Sequence, residues 1–215
     1  MLTSEDYLNI FHEIKNSITL INSSLQLVEK KHPEVSDFPY WTETMSEIAS
    51  LRNMVVELSS ARLCNHLNLK KVNLYDYMKE INSSIAALSF FNFNCEINME
   101  KNLPEIELDS QLMKQAFINL LKNAYEAMNK TGTVKINVFA RNNSVQIDVT
   151  DYGGGLDPAF ADSIFEPFIT SKNGGSGLGL VITKQIVDSH HGSIECESRP
   201  GDGCTFTIIL PITQS

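Results

Sequence analysis

The first third of the chain has the hydrophobic pattern of two long helices. Residues 3–31 contain no Pro or Gly, and apolar residues recur there at steps of four and three, which is a heptad-like seam. Pro33 ends this helix, because the residue before a proline disfavours α geometry, and Pro39 suits the first turn of the next helix. Residues 40–67 repeat the four-three spacing. The seam residues are Ile14, Ile18, Ile21, Leu25 and Val28, then Thr44, Ile48, Leu51, Val55 and Leu58.

Two helices of similar length with a short connection predict an antiparallel hairpin. One hairpin cannot cover two apolar seams by itself, whereas a second copy would close a four-helix bundle. The pattern therefore predicts a homodimer that forms through the hairpin.

The pattern changes after Asn68 and predicts an α+β sandwich. Two alternating segments around Arg141-Asn142-Asn143 indicate a strand hairpin. We divide the chain into a helical domain, residues 1–68, and a second domain, residues 69–215. The predicted strands of the second domain are residues 70–74, 94–99, 133–140, 144–151, 193–198 and 205–210, and its helices are residues 75–88, 109–129 and 178–189.

Composition narrows the classes of protein. The chain is 42% hydrophobic and 20% charged, which excludes a disordered chain. Its formal net charge of -9 and its lack of a Lys/Arg run predict no nucleic-acid partner. No stretch approaches the roughly 20 apolar residues of a membrane span, so we expect no membrane contact by this segment. The cysteines Cys64, Cys95, Cys196 and Cys204 form no C-x-x-C pair, which indicates reduced thiols in a cytoplasmic protein.

Four separated segments of the second domain carry candidate chemistry. Two amides, Asn119 and Asn123, are spaced to share one face of a helix. Asp151-Tyr-Gly-Gly-Gly155 follows a predicted strand, and Phe165-Glu-Pro-Phe168 comes next. Gly174-Gly-Ser-Gly-Leu-Gly-Leu180 then runs directly into a helix. Exposed N–H groups at the start of a helix can bind a polyphosphate. A buried carboxylate can accept a hydrogen bond from the exocyclic amine of a base, and an amide oxygen is a suitable ligand for Mg²⁺.

These segments resemble, in order, the four boxes of the ATP-binding domain of sensor histidine kinases, within the class shared with gyrase, Hsp90 and MutL. The resemblance covers roughly residues 103–211 and implies ATP and Mg²⁺ as cofactors. It implies that Asp151 reads the adenine amine, that Asn123 binds the metal, and that residues 158–174 form a mobile lid. The nucleotide-binding residues that it implies are Asn119, Asn123, Asp151, Gly153, Gly155, Lys172, Gly175, Ser176, Gly177, Leu178, Gly179, Leu180 and Thr205.

Phe11-His12-Glu13-Ile14-Lys15-Asn16 resembles the phosphoacceptor box of the same kinases. At about 100° per residue, His12 lies about 200° from the seam residue Ile14, so it is predicted to face away from the seam. Neutral imidazole is a competent nucleophile near neutral pH. Glu13 is the natural general base, and Asn16, one turn on, is positioned to orient a water for dephosphorylation. Ser17 replaces the Pro usual in the family, which puts the bend of this helix in question.

The sequence thus predicts a histidine kinase core that phosphorylates His12 with ATP and passes the phosphoryl group to an Asp of a response-regulator receiver domain. Whether transfer to His12 runs within one chain or across the dimer stays open, as does whether this is the cytoplasmic part of a longer, membrane-anchored kinase. Two alternatives remain. The first is an ATP-binding phosphotransfer or scaffold module, and the second is an ATPase or anti-sigma kinase of the same superfamily without His autophosphorylation.

Overall fold

The fold begins with the predicted pair of helices. The computed structural model describes residues 4–63, 67–86, 94–170 and 176–213. Helix α1 (Ser4–Lys31) packs along α2 (Trp41–Leu63), and a 3-10 turn at Pro33–Asp37 joins them. The predicted hairpin is therefore confirmed. The second helix was predicted to reach residue 67, but Leu67 is not helical, and residues 64–66 lie outside the described part.

The apolar seams of the hairpin are only partly covered within one chain. Ile18 and Val55 are buried, whereas Ile14, Ile21 and Leu51 are 40%, 49% and 48% exposed. Helix α2 also contacts the second domain, where Met54 packs against that domain's core.

The second domain is the predicted α+β sandwich. Its five-stranded sheet has the order β2-β4-β5-β7-β6, in which only the β2–β4 pair is parallel, and β1 pairs antiparallel with β3 in a separate ribbon. The elements are β1 (Lys70–Val72), α3 (Leu74–Ala86), β2 (Asn94–Met99), β3 (Ile106–Leu108), α4 (Ser110–Ala127), β4 (Thr133–Arg141), β5 (Ser144–Asp151), a 3-10 turn (Pro158–Ser163), α5 (Gly179–Ser189), β6 (Ser193–Arg199) and β7 (Gly203–Pro211).

One core joins the helices to one face of this sheet. The apolar residues of α4 recur at helical spacing, and Phe117 at its centre is fully buried. In β5 alternate residues are buried, from Val145 to Asp151. A sheet with one face under helices leaves its other face to polar side chains, and there Asp148 accepts hydrogen bonds from Thr207 and Gln146.

Two local predictions were wrong. The strand predicted over residues 70–74 stops at Val72, because Asn73 caps α3: its side-chain oxygen accepts from the backbone N–H of Tyr75 at 3.0 Å. Strand β3 was not predicted. It has only three residues, too few for an alternation to be recognised, and its strand geometry comes from pairing with β1.

The junction between the two domains is a buried hydrogen-bonded cluster. Asp109 caps α4, since its Oδ1 accepts two backbone N–H groups of the first turn. Its Oδ2 accepts the N–H of Asn68 at 2.9 Å, and its own N–H donates to Nε2 of His190 at 2.9 Å. Nδ1 of His190 in turn donates to the carbonyl oxygen of Ile186 at 2.7 Å. Burial lowers the pKa of His190, so the ring is held neutral.

Within the described ranges, no helix combines the length and the apolar character that crossing a membrane requires.

Candidate functional site

Asp151 is the centre of the candidate site. It is the last residue of β5 and is 4% exposed, with its side chain on the same face of the sheet as Val149. Its Oδ1 accepts the backbone N–H of Gly153 at 2.9 Å, which fixes the carboxylate at the strand end. A buried carboxylate held in this way is a selective acceptor for a donor that enters the site.

The glycines after Asp151 allow close backbone approach. A Cβ on Gly153 would lie 2.7 Å from the carbonyl oxygen of Ala127, at the end of α4. Gly155 has a φ of +74° and lies directly against the carbonyl of Arg199. The chain after β5 therefore packs between α4 and the β6–β7 turn with no room for a side chain at Gly153 or Gly155.

The first of the two amides of α4, Asn119, lies beside the start of α5. Nδ2 of Asn119 donates to the carbonyl oxygen of Gly179 at 3.1 Å, and the hydroxyl of Thr183 donates to the same oxygen at 2.9 Å. Asn119 and Asn123 are both half-buried. Because the nitrogen of the Asn119 amide is engaged, its oxygen remains as the acceptor that a hard cation prefers, which fits Mg²⁺.

The second glycine segment leads into α5. The Ser176 hydroxyl accepts the N–H of Leu178 at 3.2 Å, Leu178 is the buried N-cap position, and Gly177 packs against the backbone of Phe168. The helix then begins at Gly179, one residue later than predicted, and Leu180 is half-buried in its first turn. N–H groups at a helix start with no capping side chain are available to an anion. Two predicted contacts, Lys172 and Gly175, lie outside the described residues.

The segment that resembles a lid is anchored at its beginning. It opens with the 3-10 turn Pro158–Ser163, followed by Ile164, which is 7% exposed. Phe165 packs against the core, and its ring lies 5.9 Å from Nζ of Lys184 on α5.

A cavity of about 590 Å³ opens next to Asp151. The ends of β5, β6 and β7 line it together with Leu156 and Ala161. Thr205 is in this lining, but its hydroxyl is hydrogen-bonded at 3.0 Å to that of Thr150. The residue opposite Asp151 in the sheet register is Cys204.

The proposed phosphoacceptor segment lies on α1. Glu13 and Asn16 are exposed, and the side chain of His12 lies outside what is described. Helix α1 packs against α2. The hydroxyl of Ser17, in the place of the family's usual Pro, donates to the carbonyl oxygen of Glu13 at 2.8 Å, which is an i-to-i−4 bond within an uninterrupted helix.

Sequence reasoning missed the thiols beside Asp151. Cys196 and Cys204 were interpreted only as reduced thiols, yet both line the cavity. The signal was available: strand alternation on both sides of the Pro200-Gly201 turn places Cys196, Ser198 and Cys204 on one face.

Comparison with known proteins supplies the family context. Residues 108–214 match the family described as "Histidine kinase-, DNA gyrase B-, and HSP90-like ATPase". Among curated proteins, the chain is 31% identical to the signal transduction histidine-protein kinase AtoS of Escherichia coli (strain K12) over 94% of this chain and 34% of AtoS. It is 31% identical to sporulation kinase C of Bacillus subtilis (strain 168) over 98% of this chain and 49% of that protein. The chain thus spans between a third and a half of these two relatives.

Solved structures of histidine kinases share the fold of this chain. The catalytic domain of histidine kinase ThkA is 30% identical, with a TM-score of 0.61 over 68% of this chain and 97% of that domain. ThkA in complex with response regulator protein TrrA is 26% identical, with a TM-score of 0.66 over 98% of this chain and 62% of that one. Full-length ShkA, at 21% identity, shares the fold with a TM-score of 0.72.

Proposed function

The chain belongs to the sensor histidine kinases, and we propose that it is a kinase core that autophosphorylates His12 from ATP and passes the phosphoryl group to a response regulator. The observation that carries the proposal is the buried carboxylate of Asp151 beside a cavity of about 590 Å³. Two further contacts support it: Gly153, after Asp151, packs against the end of α4, and Asn119 of α4 donates to Gly179 at the start of α5.

The ATP-binding domain would hold the nucleotide through its own residues. The Asp151 carboxylate would accept a hydrogen bond from the adenine amine, with Thr205 in the lining of the cavity. Gly153 and Gly155, in the segment after Asp151, would let the backbone approach the nucleotide. Ser176 and the N–H groups of residues 177–180 would contact the phosphates at the start of α5. Asn123, with Asn119 beside it, would hold Mg²⁺, which neutralises charge on the phosphate oxygens when bound. Lys172 and Gly175 remain predicted contacts.

The transfer step requires a nucleophile and a base. An imidazole nitrogen of His12 would attack the γ-phosphorus, the bond to the bridging β–γ oxygen would break, and ADP would leave with that electron pair. Glu13 would accept the ring proton as N–P bond formation proceeds. Support comes from the exposure of Glu13 on α1, where the nucleotide-bearing domain could reach it.

We propose that the hairpin dimerises. In one chain Ile14, Ile21 and Val28 remain 39–49% exposed along one seam, although aliphatic side chains gain about 1.5–3 kcal/mol from full burial. A second copy would cover them in a four-helix bundle.

A receiver domain is the proposed acceptor of the phosphoryl group. ThkA was solved in complex with a response regulator, and the similarity to ThkA covers 98% of this chain. The receiver would dock on the bundle near His12 and present its Asp carboxylate to phospho-His. A cytoplasmic location, for this segment or as part of a longer kinase, stays a prediction.

The decisive experiment incubates the protein with γ-labelled ATP. We expect acid-labile, base-stable label on His12 that is abolished in His12→Gln. His32→Gln is the matched control, since His32 is an exposed histidine at the far end of α1. Bound ATP with no label in the wild type would favour a scaffold module. ATP hydrolysis without label would favour a superfamily ATPase, and label on an external Ser or Thr would favour an anti-sigma kinase.

Asn16 tests a regulator phosphatase activity. In Asn16→Ala we expect autophosphorylation to persist while dephosphorylation of the phosphorylated regulator falls at least about tenfold, because no amide positions the attacking water. Unchanged regulator dephosphorylation would remove this part of the proposal.

A further inference from the structure

Two thiols and a hydroxyl cluster at the wall of the cavity next to Asp151. Cys204 on β7 pairs in register with Asp151 on one side and with Ser198 of β6 on the other. Cys196 lies two residues before Ser198, so both face the same way. Cys204 is 6% exposed, and Cys196 and Cys204 both line the cavity. A reagent that enters the cavity beside Asp151, the proposed adenine site, therefore meets Cys204 in its wall.

Hydrogen bonds organise this cluster. Sγ of Cys204 donates to Oγ of Ser198 at 3.3 Å, while Oγ of Ser198 accepts the N–H of Leu156 at 2.7 Å and donates to the carbonyl oxygen of Gly203 at 3.2 Å. When Cys204 loses its proton, the Ser198 hydroxyl can turn from that carbonyl to the sulfur. The Cys196 thiol also interacts with this sulfur and favours its deprotonated form.

These donors favour the thiolate of Cys204. The hydrogen bond from Cys196, aided by Ser198, lowers the pKa of Cys204 to about 7, although burial and the nearby Asp151 carboxylate act in the opposite direction. The same interaction raises the pKa of Cys196. Burial raises the pKa of Cys95, on the edge strand β2, to about 11. These directions favour Cys204 over Cys95 as the more reactive thiol at neutral pH.

We propose that Cys204 is a covalent modification site for small, uncharged, soft electrophiles, and that its adduct closes the nucleotide cavity. In the reaction with an activated alkene, the thiolate sulfur forms a bond to the β-carbon. The alkene π pair moves to the carbonyl as an enolate, which takes a proton from water. Uncharged reagents are specified because Asp151 and the net charge of -9 repel anions. The second half of this inference, exclusion of nucleotide, rests on the proposed function.

The test uses N-ethylmaleimide on the whole chain, with adducts located by peptide mass spectrometry between pH 6 and 8. Labelling of Cys204 should outpace that of Cys95 by at least about tenfold at pH 7, in line with its larger thiolate fraction. Cys196→Ala should slow labelling of Cys204, since it removes the neighbouring thiol that favours the Cys204 thiolate. Cys95→Ser is the matched control and should leave the rate unchanged. Equal rates at Cys204 and Cys95 would overturn the site.

The nucleotide arm separates the two proposals. Binding of Mg-ADP to unmodified protein, measured by calorimetry, tests the ATP site without any reagent. If Mg-ADP binds, it should protect Cys204 from labelling by N-ethylmaleimide. Protein labelled at Cys204 should bind ADP at least about tenfold more weakly than unmodified protein. Treatment of Cys204→Ser with the reagent should leave its ADP affinity unchanged. An adduct that retains full ADP affinity would overturn closure of the cavity. Absence of ADP binding to unmodified protein would instead contradict the proposed function, while the labelling rates still decide the site.

Discussion

The helical hairpin and the ATP-binding domain bury their apolar residues in different ways. In the described part of the hairpin the buried apolar side chains are Ile18, Val35 and Val55, and much of each seam is exposed. In the ATP-binding domain one continuous core runs from α3 through α4 and the sheet to α5. A region with its own core is stable by itself, whereas a region with uncovered seams depends on what packs against it.

The largest contrast should come from truncating one apolar side chain in each region. Phe117→Ala removes a fully buried ring from α4 and should lower the free energy of unfolding by about 3–5 kcal/mol, enough to unfold much of the domain. Ile21→Ala, at a side chain 49% exposed, should cost the ATP-binding domain less than about 0.5 kcal/mol. Urea titration followed by circular dichroism measures both.

The same Ile21→Ala variant should instead weaken self-association, which sedimentation at decreasing protein concentration measures. Equal losses of folding stability for the two variants, or unaltered association of Ile21→Ala, would break the comparison between the regions.

An intermediate effect is expected at the junction. Asp109→Ala removes a buried helix cap and also the acceptor of the Asn68 N–H, so the free energy of unfolding should fall by about 2–3 kcal/mol. Asn73→Ala removes an exposed cap of α3 with no link to the hairpin and should cost about 1 kcal/mol. Similar losses for both caps would mean that the Asn68 contact contributes little to holding the regions together.

The smallest effect is a pH dependence from His190. Its pKa is lowered in the folded state, so the unfolded chain binds the proton first as the pH falls below about 6.5. Stability should therefore decrease as the pH falls from about 6.5 towards the folded-state pKa, by at most about 1.4 kcal/mol per pH unit, and should be fully present above that range.

Thermal unfolding between pH 5 and 7.5 measures this effect. His190→Gln should flatten the profile relative to wild type. His191→Asn is the matched control, because His191 is exposed and its φ of +53° suits Asn. A steeper profile in His190→Gln would contradict the assignment.

The sequence by itself was enough for the hairpin, for most helices and strands, and for the segments that form the candidate site. The reason is that these depend on local periodicity and on residues with special backbone freedom. The three-residue strand β3 and the end of β1 at Val72 were not predictable, since each depends on a partner strand or on the Asn73 cap.

Tertiary structure alone decided which side chains meet. The contacts that matter join segments 40 or more residues apart. Asn119 contacts Gly179, Asp109 contacts both Asn68 and His190, and Cys204 lies opposite Asp151. Strand alternation indicates which face a side chain occupies, but the register between strands and the packing of helices determine its neighbours. Those neighbours supply the donors and the burial that change a thiol or an imidazole from an ordinary side chain into a reactive or pH-sensitive one.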